Sequence, residues 1–155
     1  MKKQESGRSM VEMLGVLAII GVLSIGGIAG YMLSMNRFRA NDLIDKASKF
    51  ATLAYSTKQS MEAQGNTFDP ANFTWEKAKI GTLGTNEAIA LASSSTFTDK
   101  KNTEGKVIGA DVSVTITFPS EAVCDTAVSI TGTTSTCTSA GEGKGYSLTL
   151  AFTQS

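Results

Sequence analysis

A carboxylate in an otherwise uncharged apolar run needs a physical reason. Glu12 stands five residues after Gly7 and four after Arg8, and behind it residues 13–33, MLGVLAIIGVLSIGGIAGYML, carry no charge. A charged side chain at the centre of a membrane helix costs about 2.5–3.5 kcal/mol on insertion scales and less near its edge, so such an acid is a functional candidate whose partner must be named. If the chain is cut after Gly7, Arg8 becomes a new N-terminus with an α-amino group of pKa near about 8. That amine lies one helical turn from Glu12. The chemistry open to the two groups is ion pairing, either within one chain or, in an assembly, between neighbours. The plain alternative is an edge glutamate that snorkels to the headgroups.

Other residues able to do chemistry are few. The 155 residues include no histidine, and 14 basic residues balance 14 acidic ones. Without histidine the chain lacks the usual general base and the commonest metal ligand. Its balanced charge leaves no basic footprint for nucleic acid. There is no Ser-His-Asp set, phosphate loop or ligand cluster, so the reading is a protein that is not an enzyme and uses no metal or cofactor. The two cysteines, Cys124 and Cys137, do not form a CxxC motif, and two thiols without histidine make a poor zinc site. They allow one pairing, which an extracytoplasmic location favours. Closing the Thr/Ser/Gly-rich loop between them is worth about 3 kcal/mol on the chain-entropy model.

The elements that must position these groups begin with the apolar run, whose length of about 20 residues crosses a bilayer core as a helix. Lys2, Lys3 and Arg8 precede it and Arg37 and Arg39 follow it, a weak charge contrast. Paired cysteines place the C-terminal part in the oxidising compartment and the short N-terminus inside. Three readings compete. One is a signal peptide cut at the small-x-small site Gly27-Ile28-Ala29, before Gly30. Another is an uncut anchor. The third is a leader ending after Gly7, which keeps the apolar helix in the mature protein, and only this reading supplies Glu12 with an amine. Gly26, Gly27 and Gly30 each weaken a helix by about 1 kcal/mol relative to alanine, which marks residues 24–30 for local melting or extension. Gly26 and Gly30, four apart, also permit close helix approach.

Residues 36–63 contain neither proline nor glycine. Leu43, Ala47, Phe50, Ala54 and Met61 recur at helical spacing, flanked by Ile44, Ala51 and Tyr55. Asp42→Lys46 and Asp45→Lys49 are acid-before-base pairs on a solvated face. Gly65-Asn66 ends the helix. One helix of about 50 residues results, apolar all round in its first half and amphipathic in its second. Beyond it, residues 74–77 read as a short helix or turn, with Trp75 a packing residue. Residues 86–92 are open between strand and helix. Residues 98–105, TDKKNTEG, read as an exposed loop. Residues 111–118 alternate, with Val112, Val114, Ile116 and Phe118 on one face, and Pro119 stops the strand. Residues 120–128 read as a short helix capped by Ser120. Residues 146–152 are a second alternating strand, with Tyr146, Leu148, Leu150 and Phe152 aligned and placed in the same antiparallel sheet.

A short Lys-bearing leader, Gly7, a glutamate five residues on and then an apolar helix together resemble the class III signal of type IV pilins. Residues 118–124, FPSEAVC, are similar to the strand–short helix–Cys element of the type IVb branch. The first resemblance covers about residues 1–35. Arg8 stands where the family carries phenylalanine, methionine or leucine, and glycines stand where many members carry a helix-kinking proline. The resemblance implies cleavage after Gly7 by a prepilin peptidase, N-methylation of Arg8, and pairing of Glu12 with a neighbour's amine during assembly. It implies residues 1–7 as leader, 8–35 as transmembrane and filament-core helix, 36–64 as the amphipathic half of the spine, and 65–155 as a β-rich head. The expected fold is α+β: a long N-terminal helix packed on a small antiparallel sheet, with a C-terminal disulfide loop. The expected partners are further copies and other pilins in a helical filament, an inner-membrane assembly platform, and lipid before assembly, with no specific nucleic acid. The expected location is the bacterial inner membrane and then an extracellular pilus. Two other classes stand beside this one: a pseudopilin of type II secretion, and a membrane-anchored or secreted binding protein that does not polymerise.

Overall fold

The computed structural model describes residues 6–93 and 96–154, with side chains from Met10 onward. Expectations for residues 1–5 of the leader lie outside the described residues. The chain divides between Asn36 and Arg37 into two compact units.

Helix α1 spans Ser6–Ala63, 58 residues without a break. It is longer than the sequence reading, because it begins upstream of Gly7. It ends where Gly65 adopts a φ of +78°, a left-handed conformation that glycine takes without a Cβ penalty. In the second unit α1 presents Ala40, Leu43, Ala47, Phe50, Ala51 and Ala54, all buried. Ala40 extends the expected stripe by a turn, whereas Met61 is only half-buried. Lys46 bonds Asp42 at 2.6 Å. The expected Asp45–Lys49 pair does not form among the described residues; Lys58 and Glu62 pair instead, at 2.9 Å. Lys58 also lies 5.5 Å from the centre of the Phe97 ring.

A 3-10 turn at Pro70–Asn72, capped by the Asp69 carboxylate, leads into α2, Trp75–Ala78. Here Phe73 and Trp75 pack on Phe50, with ring centres 5.0 and 5.9 Å away. The Trp75 Nε1–H donates to the Gly81 carbonyl at 2.9 Å, which satisfies the one polar group of a packing residue.

Five strands form one antiparallel sheet: β1 (Ala88–Leu91), β2 (Phe97–Lys101), β3 (Val107–Phe118), β4 (Thr138–Ser139) and β5 (Tyr146–Gln154). β3 is central. Its nine-pair ladder with β5 runs from Ala110↔Gln154 to Phe118↔Tyr146. β1 and β2 both lie along the other side of β3, and β4 pairs only with the start of β5. Residues 86–92, open between helix and strand, resolve to strand β1. The loop expected at 98–105 is corrected. Phe97–Lys101 is a strand, and only its turn is irregular: the Asn102 side chain accepts from the backbone of Glu104 and Lys106, and Gly105 takes a φ of +79°. The polar composition that read as loop belongs to an edge strand, where charge is normal.

The strict alternation of β3 sorts its faces. Val112, Val114, Ile116 and Phe118 are fully buried with Leu148 and Leu150 of β5. Helix α3, Glu121–Thr131, adds Val123, Cys124 and Ala127 to the same core as Leu43 and Phe50. Ser120 holds the N-cap position, yet its side chain makes no capping bond, which corrects the expected cap. The Cys124–Cys137 disulfide forms, with Cα atoms 6.1 Å apart. The fold is therefore α+β, and a long N-terminal helix packed on an antiparallel sheet is a pilin-like architecture.

Candidate functional site

The described part of the first unit is helical. From Met10 to Met35 every described residue is exposed, including Leu14, Leu17, Ile19, Ile20, Leu23 and Ile28. An 18-residue stretch of this helix has a mean hydropathy of 2.2, and the helix is long and apolar enough to cross a membrane. Burying one Leu, Ile, Val or Met side chain is worth about 1.5–3 kcal/mol, and monomers in water do not keep contiguous apolar patches of this size exposed. The segment is therefore built for lipid or for protein partners.

Glu12 lies on this helix, exposed. It is the one charged side chain in residues 10–36. The backbones of Gly7 and Arg8 belong to the same helix, so Arg8 precedes Glu12 by about one turn. The Arg8 side chain lies outside those described. The helix continues through Gly26, Gly27 and Gly30, where a methyl group in place of hydrogen would meet nothing within 4 Å. Gly26 and Gly30, four residues apart, share a face and leave a groove in the apolar surface. The Ser24 hydroxyl donates back to the Ile20 carbonyl at 2.7 Å, which satisfies a polar group without a partner helix.

The head holds no comparable constellation. Among the described residues no three His, Cys, Asp or Glu side chains gather as a metal site, and both cysteines are in the disulfide. Surface hollows lie beside Thr57, Met61 and Phe68 and beside Trp75, Lys79 and Glu87. The Glu87 carboxylate accepts from the Gly84 backbone at 2.6 Å, a loop-closing bond.

One structurally constrained residue escaped the sequence reading. Gly145 enters β5 at a φ of +84°, and a Cβ there would run into the carbonyl oxygen of Phe118 and crowd that of Asn86. It holds β5 against β3. Its sequence signal is the glycine-rich GEGKG before the second alternating strand, a pattern that reads as an ordinary turn. No protein-family model, curated protein or solved structure matches this chain.

Proposed function

We propose that the protein is the subunit of a type IV pilus-like filament. The observation that carries this reading is the exposed apolar half of α1, uncharged except for Glu12 near its start. The chain inserts in the inner membrane by this segment, with the head outside the cytoplasm, where the Cys124–Cys137 bond is stable. A prepilin peptidase cuts after Gly7 and exposes the Arg8 amine, which it methylates. An assembly platform then draws the helix from lipid into a filament core, where apolar surface stays buried at every step. Glu12 supplies register: once out of water it needs a cation, and the amine of a docked neighbour provides one only when the two helices are staggered correctly. Work of this kind is assembly and needs neither metal nor cofactor.

The test is intact-mass and N-terminal peptide spectrometry of the protein from its native membrane. The expected N-terminus is Arg8, carrying a methyl group. A first residue at Gly30 makes residues 1–29 a discarded signal, and an intact Met1 leaves a plain anchor; either result ends the proposal.

A further inference from the structure

The two edges of the sheet are built differently. Along one, β1 offers only the four residues Ala88–Leu91, and β2 carries the exposed charges Asp99, Lys100 and Lys101 and slips register between Lys100 and Lys101. Charges and bulges are the devices that stop an edge from accepting another strand. Along the other edge, β4 covers only Tyr146 and Ser147. Beyond them, residues 148–154 of β5, LTLAFTQ, contain no charge, proline or glycine. On its outward side this stretch bonds to nothing among the described residues.

The ladder identifies which backbone groups face outward. Ser113 of β3 donates its N–H to Thr96 and accepts from the Ala92 N–H, each at 2.9 Å, so both its groups point away from β5. Ser113 registers opposite Ala151. That makes the two a non-hydrogen-bonded pair, and the N–H and C=O of Ala151 therefore face the open edge. By alternation so do those of Thr149 and Thr153. The bond from the Ala140 N–H to the Gly145 carbonyl, 2.9 Å on the β4 side, follows the same alternation.

We infer that this edge is a docking surface for the β5 strand of a second copy, paired antiparallel about Ala151. In that register Thr149 meets Thr153, Ala151 meets its own counterpart and Leu150 meets Phe152. The outward N–H and C=O groups of Thr149, Ala151 and Thr153 then all find partners. The threonines fall together on the polar face, and Leu150 and Phe152 on the core face, where Phe152 is still half-exposed. Like charges directly opposite one another are destabilising, and this register contains none. β2 paired with itself would set lysines and an aspartate at its centre. The two-fold axis stands normal to the sheet, so the paired heads carry the packed halves of their α1 helices in opposite directions; the contact joins heads of separate filaments, not neighbours along one polar filament, and is separate from the assembly contact of Glu12.

The test is cross-linking of the full chain in detergent micelles. Because Cys124 and Cys137 are paired, a thiol introduced by Ala151→Cys is the free one. A short bis-maleimide is expected to join two copies of A151C several times faster than two copies of A90C, an exposed control on β1. Thr149→Cys and Thr153→Cys chains are expected to cross-link to each other when mixed. The A151C rate is expected to be unchanged by Glu12→Ala. Equal rates for A151C and A90C, joining of A151C only to other proteins, or loss of the A151C product with Glu12→Ala each overturn the inference. An unchanged thermal melt of A151C keeps misfolding out of the comparison.

Discussion

At the scale of single residues, Glu12 and Gly145 illustrate opposite kinds of constraint. Glu12 is exposed on α1. Glu12→Ala is therefore expected to fold and insert normally but to assemble poorly, since losing one partner of a buried ion pair costs about 3–5 kcal/mol. Filament yield measured against the membrane-inserted amount checks this, and a normal yield would sink the register role. Gly145 is constrained by backbone: its positive φ and the approach of the Phe118 carbonyl leave no room for a side chain. Gly145→Ala is expected to destabilise the head by about 3 kcal/mol, within the range of backbone strain plus a steric clash. A shift of the urea midpoint at constant slope reads it out. Glu12 stood out in the sequence because an acid in an apolar run is chemically anomalous. Gly145 did not, because its constraint comes from a strand end far away in sequence.

At the scale of elements, α1 performs two tasks with one backbone. Its second half is held by a narrow stripe of small and large residues in which Phe50 is the largest, fully buried under Phe73 and Trp75. Phe50→Ala is expected to cost about 3–5 kcal/mol through lost burial and a residual cavity, seen as a lower denaturation midpoint. The alanines at 40, 47, 51 and 54 let the helix approach the sheet closely, and the spacing of Leu43, Ala47, Phe50 and Ala54 showed which face is buried. The disulfide ties α3 to the strand β4 that follows it. Its removal by Cys124→Ala with Cys137→Ala is expected to cost about 3 kcal/mol, measurable as a drop in Tm that reductant reproduces in the native chain.

At the scale of the whole molecule, the two units answer to different solvents. The head gathers a buried apolar core against its own sheet, whereas every residue from Met10 to Met35 is exposed. An arginine in the middle of the exposed run, Val22→Arg, is expected to weaken insertion by about 2.5–3.5 kcal/mol. Alkaline extraction of membranes would then release a larger share of the variant than of the native chain. The head is expected to keep its melting behaviour in that variant, because Val22 is exposed and is not part of the head's core.

Periodicity by itself determined the long helix, its apolar and amphipathic halves and the two principal strands with their buried faces, and a count of two cysteines left a single pairing. Each of these is local: it depends on residues a few positions apart that share a face or a loop. Only the tertiary structure decided that 97–101 is a strand and not part of a loop, because its charges are tolerable at an edge and its hydrogen bonds come from β3. It also decided that β1 and β2 share one side of β3, that Ser120 does not cap α3, and that β5 keeps an open edge beyond Ser147. Strand pairing joins residues distant in sequence, and an unpaired edge is a property of what the rest of the chain leaves uncovered.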